Sequence, residues 1–323
     1  MMNLTTTAAA ATTTTTTNEM IIESINAMKK QESMYYQTKD GVYYNNNDHS
    51  SGVVNEKCRR LIIAWYKQIS SYYHFHDNTI AMAVNCLDRY VAIETSILED
   101  RLEYRLASMA CLYTAIKIHE QLALDPKSLS KLSRGVFHSK DIEEMEFRIL
   151  TTLNWTVNAP TAFSFVELYL KLLSPSIINT NSNNTEKEQT TTMLIEEFIY
   201  YQINYATEHC QFLGMAASEL AFTATYNAIV AVLGKQHPSI KSYGNIQDMI
   251  DVKLLPFQLE NELWYQIIII QQQRSRSSNN NNRSSIVLHD AVSSTKQEEN
   301  KKSGLLRRSL SQQQLSPRCI TMS

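Results

Sequence analysis

The sequence predicts an all-α protein, and three observations on its 323 residues lead to this class. Apolar residues recur with the 3.6-residue period of an amphipathic helix through two dense segments of the chain. The alternating pattern of half-buried β-strands is almost absent from both segments. Only Pro126 and Gly135 interrupt the stretch 55–158, which leaves long windows free of helix breakers.

The composition changes along the chain and predicts its organisation. Hydrophobic residues, 43% of the total, are concentrated in the two dense segments, which we expect to form two helical domains. Thr, Asn, Gln and Ser dominate elsewhere, where too little apolar surface is available for folding. The predicted segments are a disordered Thr/Ala-rich stretch at 1–19, a helix and linker at 20–54, a first helical domain at 55–158, a second helical domain at 159–270 with a low-complexity insertion at 179–192, and a disordered basic tail at 271–323.

Five helices are predicted in the first domain. They begin near Glu56, after Asp77, near Leu102, at Pro126 and near Ser139. Aspartate is a favoured N-cap residue, so Asp77 is expected to cap the second helix and Asp125 the fourth. Pro126 fits the first turn of the fourth helix. The acidic residues at 141–144 suit the start of the fifth helix, where the helix dipole favours negative charge.

The second domain repeats the helical character of the first. The predicted helices are Phe163–Leu173, Met193–Ala206, Ala216–Leu233 and Leu259–Ile270. We therefore expect a second, divergent copy of the same helical unit.

The charge balance and the cysteines exclude several classes of protein. Thirty Lys and Arg residues against 32 Asp and Glu give a formal net charge of -2, so no overall field draws the chain to nucleic acid or an anionic membrane. The longest aliphatic run, Ile267 to Ile270, is far shorter than the about 20 apolar residues of a membrane-spanning helix. Five scattered cysteines without a CxxC pair indicate a reducing compartment, and we expect the protein in the nucleus, the cytoplasm or both.

Motifs of catalysis and metal binding are missing from the sequence. It lacks the patterns GxxxxGKS/T, GxGxxG and GxSxG. His74 and His76 lie two residues apart without a nearby cysteine, and we interpret them as surface histidines. We therefore expect a protein that is not an enzyme, holds no metal and needs no cofactor.

Two charged residues lie where the helical period predicts apolar side chains. Lys117 follows Tyr113 by four residues on the third helix, and Glu146 follows Ile142 by four on the fifth. A buried charge is costly unless it is paired. Either the two groups reach water or a backbone partner at the rim of the core, or they form a paired polar site that faces a partner protein.

Arg59 and Asp88 also lie on core-facing stripes, on the first and second helices. Their opposite charges predict an intramolecular ion pair that fixes these helices to each other. A functional role for this pair is the alternative.

Four segments resemble the cyclin box in order, spacing and residue type. They are RRLIIAW at 59–65, AVNCLDRYV at 83–91, RLASMACLYTAIKIHE at 105–120 and MEFRILTTLNWTVNAPT at 145–161. The resemblance implies a cyclin, a protein that binds and activates a cyclin-dependent serine/threonine kinase in cell-cycle control. The alternatives are a cyclin-fold transcription regulator and a helical scaffold without a kinase partner. A DNA clamp is disfavoured because residues 55–157 contain thirteen basic and thirteen acidic residues.

The resemblance also implies a five-helix bundle whose third and fifth helices dock on the mobile regulatory helix of the kinase. Lys117 and Glu146 match the family's paired kinase-contacting residues, and Arg59 with Asp88 matches its internal ion pair. The family's apolar kinase contacts match Ile118, Leu150, Trp155 and Val157. Composition alone would place these four in the core. The segment 21–31 resembles the family's amino-terminal helix, which also touches the kinase.

The sequence departs from the family at the groove that docks kinase substrates. Cys58, Leu61 and Trp65 keep part of an apolar groove, but Gln68 stands where the family has an acidic residue. The pair at 104–105 is Tyr-Arg rather than Leu-Gln. The groove is degenerate, which puts the docking of substrates in doubt.

The tail from Gln271 is basic, with nine basic and three acidic residues. The pairs at 301–302 and 307–308 fit a nuclear import signal, and a solubilising tail is the alternative. Ser309, which follows two arginines, and Ser316, which precedes a proline, fit phosphorylation sites.

Overall fold

The structure is a computed structural model of the chain, and it describes residues 3–36, 43, 54–121, 124–178 and 185–287. These residues form eleven α-helices and two short 3-10 helices, with no β-strand among them, which confirms the predicted all-α class. The α-helices are α1 (Asn3–Tyr35), α2 (Glu56–Tyr73), α3 (Asp77–Ile93), α4 (Arg101–His119), α5 (Pro126–Leu132), α6 (Ser139–Thr152), α7 (Ala162–Ile178), α8 (Thr185–Glu208), α9 (Ala217–Leu233), α10 (Pro238–Ile250) and α11 (Phe257–Val287). The 3-10 helices are Thr95–Glu99 and Cys210–Phe212. The tail sites Ser309 and Ser316 lie outside the described residues.

Helix α4 is the centre of a first bundle that α2 to α6 form. It packs against both α3 and α6. Many of its buried side chains are small, namely Ala107, Ser108, Ala110, Cys111, Thr114 and Ala115. The distance between packed helices depends on the side chains at the contact, so these small residues let both neighbours approach α4 closely. The five predicted helices of this domain are all present.

Side-chain caps fix the starts of the helices in this bundle. At α5, the Asp125 carboxylate accepts a hydrogen bond from the Ser128 N–H at 2.9 Å, as its predicted cap role requires. The prediction for Asp77 is wrong by one residue, because the N-cap of α3 is His76. The carboxylate of Glu120, at the end of α4, accepts from the His76 N–H at 2.9 Å and thereby stabilises the start of α3 from a distant part of the chain.

Helices α7 to α11 gather around a second core, whose central helix is α9. Small buried residues again dominate the centre, as Ala221, Ala224 and Ala228 show. Helix α10 is absent from the predicted helices, since Gly244 and several polar residues interrupt this short segment, although the buried Tyr243, Ile246 and Ile250 follow the helical period. The predicted end of this domain at residue 270 falls inside α11.

Helix α1 packs on the second bundle, against α7 and α10. It begins at Asn3, well before the predicted helix at 21–31, and it includes most of the segment 1–19 that composition assigns to disorder. No Gly or Pro interrupts this stretch, and the run of four alanines at 8–11 has the highest helix propensity. Ile25 is fully buried in the second core. None of the described helices combines the length and the apolar character that crossing a membrane requires.

A buried arginine joins the two bundles. The Arg59 guanidinium on α2 donates to both carboxylate oxygens of Asp88 on α3, at 2.8 and 2.7 Å. It also donates to the backbone carbonyl of Thr207 at 2.9 Å and to that of Glu208 at 3.3 Å, the last residues of α8. The Tyr43 hydroxyl donates to Asp88 at 2.9 Å. Arg59 therefore caps the carbonyl end of α8, where the helix dipole favours a cation.

Burial alone lowers the pKa of Arg59, but the charge and the hydrogen bonds of Asp88 outweigh that effect and raise the pKa above its ordinary value. The guanidinium of Arg59 therefore stays charged. Burying this charge is tolerated because the Asp88 carboxylate is paired with it. A second contact between the bundles lies nearby, where the Lys67 ammonium pairs with Glu208 at 2.5 Å.

We expect Arg59→Met to destabilise the chain by about 3 to 5 kcal/mol, because it leaves the Asp88 carboxylate buried without its cation. The free energy of unfolding from urea titration is the measurement. The double variant Arg59→Met/Asp88→Leu removes both charges and should recover a large part of this loss.

The matched control is Lys140→Ala, which breaks an exposed ion pair between Lys140 and Glu144 on α6, with an N–O distance of 3.4 Å. Exposed pairs contribute about 1 kcal/mol or less. Equal losses of stability in Arg59→Met and Lys140→Ala would contradict the role assigned to the buried pair.

Candidate functional site

The first bundle presents an ion pair between its third and fifth helices. The Lys117 ammonium on α4 lies 2.6 Å from one carboxylate oxygen of Glu146 on α6 and 2.7 Å from the other. The Lys117 side chain is 38% exposed, whereas that of Glu146 is 10% exposed. The structure therefore brings the two predicted residues together at the edge of the core, where one partner is sheltered and the other faces solvent.

Two neighbours on α4 hold this pair in place. The Thr114 hydroxyl, one turn before Lys117, donates to a Glu146 oxygen at 2.8 Å. The Lys117 ammonium lies 4.3 Å from the centre of the Tyr113 ring, a cation–π distance. Burial, and then the negative charge of Glu146, raise the pKa of Tyr113 above its ordinary value. Thr114, the Tyr113 ring and the mutual attraction of the two charges thus hold the pair in place without a partner.

Exposed apolar side chains lie next to the pair in the chain and in the turn after α6, and the resemblance predicted two of them as contacts. Ile118 is 41% exposed and Trp155 is 64% exposed, while Leu150 is half-buried against the first core. Val157 differs from these three because it is buried in that core. In the isolated chain Val157 is a packing residue and does not offer a contact surface.

Phe147 belongs to the same surface, and the sequence reasoning missed it. It follows Glu146 directly on α6 and is 64% exposed. Its position on the helix lies opposite the buried stripe of Ile142, Met145 and Ile149. An aromatic residue outside the apolar stripe is the signal that could have identified it. We call the surface formed by Lys117, Ile118, Glu146, Phe147, Leu150 and Trp155 the α4–α6 patch.

A strained turn after α6 carries Trp155. Asn154 and Trp155 have φ angles of 49° and 61°, in the left-handed region that non-glycine residues rarely adopt. For an L-residue this conformation costs about 1 to 2 kcal/mol. The Trp155 N–H donates to the Leu150 carbonyl at 2.8 Å, which closes the turn. Strain of this kind is retained where the surrounding structure demands it, and such positions concentrate at functional sites.

Two of the four residues expected to form the degenerate substrate-docking groove are buried in the structure. Cys58 and Trp65 are buried in the first core, so their side chains do not line an open surface. Leu61 is half-buried and Gln68 is exposed, which leaves a single apolar side chain where the family has a groove. The groove was expected from the resemblance alone, and in this chain Cys58 and Trp65 serve the core packing of α2.

No set of three or more His, Cys, Asp or Glu side chains comes together as a metal site in the part of the chain that the structure describes. His74 and His76 are both exposed, as their interpretation as surface residues requires.

The first bundle is similar to a known protein family. Residues 23–158 match the family model of the cyclin N-terminal domain. The chain is 28% identical over 180 residues to G2/mitotic-specific cyclin-1 of Antirrhinum majus, covering 54% of this chain and 34% of that protein. It is 31% identical over 191 residues to Cyclin-D4-1 of Oryza sativa subsp. japonica, covering 58% of this chain and 48% of that protein. The chain thus matches less than half of the length of each of these relatives.

The fold of a solved structure agrees with this match. The viral cyclin from herpesvirus saimiri superimposes with a TM-score of 0.54 at 14% sequence identity, over 75% of this chain and 94% of that one. At this identity the likeness establishes the fold alone, and it extends beyond the first bundle. Residues 23–158 are therefore similar to a cyclin N-terminal domain, and the chain has the all-α fold of a cyclin.

Proposed function

We propose that the chain is a cyclin that binds and activates a cyclin-dependent serine/threonine kinase in cell-cycle control, in the nucleus, the cytoplasm or both. Relatives that carry the names G2/mitotic-specific cyclin-1 and Cyclin-D4-1 support the cell-cycle role. The single observation that carries the proposal is the Lys117–Glu146 pair, held at 2.6 Å, with the exposed side chains of Ile118 and Phe147 next to it in the chain.

The α4–α6 patch has the composition of a protein interface. Its rim supplies large exposed apolar groups in Phe147 and Trp155, and aromatic residues are enriched among those that dominate binding energy. Its centre supplies an ammonium that donates and a carboxylate that accepts. The end of a partner helix carries backbone groups without intrahelical partners. The patch therefore fits a helix that lays an apolar face on it and ends beside the ion pair.

Preorganisation of the pair favours binding. An interface must immobilise its side chains, and each flexible side chain costs about 0.5 to 1.5 kcal/mol when it is fixed on binding. Lys117 and Glu146 are already fixed by each other, by Thr114 and by the Tyr113 ring. Little of this entropy remains to be lost when a partner docks.

Activation follows from the state of the kinase that the patch binds. A protein kinase needs the Glu of its mobile regulatory helix paired with its phosphate-positioning Lys. The regulatory helix exchanges between two positions, and in the inward one this pair forms. A partner shifts this equilibrium only by binding one position more tightly than the other. We propose that the α4–α6 patch binds the inward position, so the cyclin contributes binding energy and the kinase performs the chemistry.

The direct test is the double variant Lys117→Ala/Glu146→Ala in a pull-down with a purified cyclin-dependent kinase, followed by a histone phosphorylation assay of the bound fraction. Removing both groups should lower the affinity by about 10-fold to 100-fold, since residues central to an interface contribute about 2 kcal/mol or more. The activity recovered with the chain should fall in proportion.

Lys140→Ala/Glu144→Ala is the matched control, because it removes another Lys–Glu pair, which lies wholly on α6 and has both side chains largely exposed. This variant should retain kinase binding, and both variants should keep the helical circular dichroism of the wild type. If the kinase binds Lys117→Ala/Glu146→Ala as tightly as it binds the control, the α4–α6 patch is not its docking site.

Trp155 allows binding and stability to be separated. Both Trp155→Ala and Trp155→Gly remove the exposed ring and should weaken kinase binding to a similar extent. Glycine relieves the strain of the positive φ angle and alanine does not. We therefore expect Trp155→Gly to be at least as stable as Trp155→Ala in thermal unfolding, although glycine usually destabilises by about 0.5 to 1 kcal/mol relative to alanine. A lower melting temperature for the glycine variant would contradict the strained turn.

A further inference from the structure

The strained turn that carries Trp155 is braced by a buried arginine of α3. The Arg89 guanidinium donates to the Thr156 carbonyl at 2.6 Å and to the Thr156 hydroxyl at 3.0 Å. That hydroxyl donates in turn to the Leu153 carbonyl at 2.6 Å, at the end of α6. Thr156 and Leu153, which flank the two left-handed positions, are therefore tied to each other, and Arg89 holds Thr156. This brace holds in place a backbone geometry that Asn154 and Trp155 do not prefer.

Arg89 differs from the other buried arginine in its partners. It is 7% exposed, yet no carboxylate lies within ion-pair distance of it in the described part of the chain. Burial lowers the pKa of Arg89, whereas Asp88 raises that of Arg59. The cation of Arg89 is instead covered by the Tyr36 ring, whose centre lies 4.8 Å from the guanidinium carbon. A cation over an aromatic face is attracted by the ring quadrupole, and more strongly when it is shielded from water.

Tyr36 follows the last residue of α1, and α1 is anchored elsewhere by residues of the same helical face. The Lys29 ammonium donates to the Asp251 carbonyl at 2.6 Å, beside the end of α10. The Glu32 carboxylate accepts from the Ser218 N–H at 3.2 Å and from its hydroxyl at 2.6 Å, at the start of α9. Positions 29, 32 and 36 follow the helical spacing of one face. Two helix ends of the second bundle thus set the position of the ring over Arg89.

We propose that Tyr36 and Arg89 are positioning residues for kinase binding, through a chain of contacts in which α1 covers Arg89 and Arg89 holds the turn that presents Trp155. This inference rests on the proposed function, because it assigns a role to the geometry of the α4–α6 patch. In the free chain, loss of the Tyr36 ring should loosen the turn at 153–157 without altering the core of the first bundle. The kinase should then meet a Trp155 that samples several positions.

Amide hydrogen exchange of the free chain tests the inference without a kinase. In Tyr36→Ala, exchange at the Trp155 and Thr156 amides should become about tenfold faster, which corresponds to about 1.4 kcal/mol of local stability. Exchange at buried amides of α4, such as those of Ala110 and Ala115, should be unchanged. A merely structural role of Tyr36 would accelerate exchange in both places.

Two further variants complete the test. Tyr36→Phe keeps the ring and should exchange like the wild type, and Tyr35→Ala removes an adjacent, 53% exposed tyrosine and should do the same. Kinase affinity should fall about fivefold to tenfold in Tyr36→Ala alone. Unchanged exchange at 155–156 in Tyr36→Ala, or equal acceleration in α4, would overturn the inference while leaving the proposed function intact. The proposed function itself would fail separately, if Trp155→Ala bound the kinase like the wild type.

Discussion

The close packing of α4 between α3 and α6 is the constraint on which the rest of the first bundle depends. Many of the buried side chains of α4 are alanine, serine or cysteine, so its neighbours can approach it closely. This proximity is what allows the short carboxylate side chain of Glu146 to reach both Thr114 and Lys117 on α4. With bulkier residues between α4 and α6, Lys117 and Glu146 would be too far apart to pair, and each charge would be partly buried without its partner. The functional geometry is thus a consequence of core packing.

Contacts at helix ends connect this bundle to the rest of the chain. Arg59 caps the last carbonyls of α8, and Glu32 and Lys29 of α1 meet the ends of α9 and α10. The backbone groups at helix ends lack intrahelical partners. A charged side chain from another element can bond to them, and it then also fixes the distance between the two elements. The two bundles therefore have a defined relation although their cores are separate. In this arrangement α1 reaches from the second bundle to the turn beside the α4–α6 patch.

Much of this organisation follows from local sequence patterns. The 3.6-residue period identified the helices of the first bundle, and the charges of Lys117 and Glu146 on apolar stripes indicated the site. The same patterns could not separate Val157, which is buried, from Trp155, which is exposed, because exposure here depends on two left-handed residues in the turn after α6.

Tertiary contacts account for the remaining differences. Glu120 stabilises the start of α3 from the far end of α4, and no local pattern around Asp77 reveals it. The resemblance places Cys58 and Trp65 at a docking groove, whereas the packing of α2 buries both in the first core. The contact of Tyr36 with Arg89 joins residues 53 positions apart, and only the folded chain shows it.

The measurement that tests the central claim most directly is kinase activation by a variant in which the two charges are exchanged, Lys117→Glu/Glu146→Lys. The ion pair can re-form with the opposite orientation, so the thermal stability should stay close to that of the wild type. A partner that accepts a hydrogen bond from residue 117 and donates one to residue 146 would then find the opposite charge at each position. The account predicts a folded chain that neither binds nor activates a cyclin-dependent kinase. Activation at the wild-type level by the exchanged pair would show that the pair only holds α4 and α6 together, and that the kinase docks elsewhere.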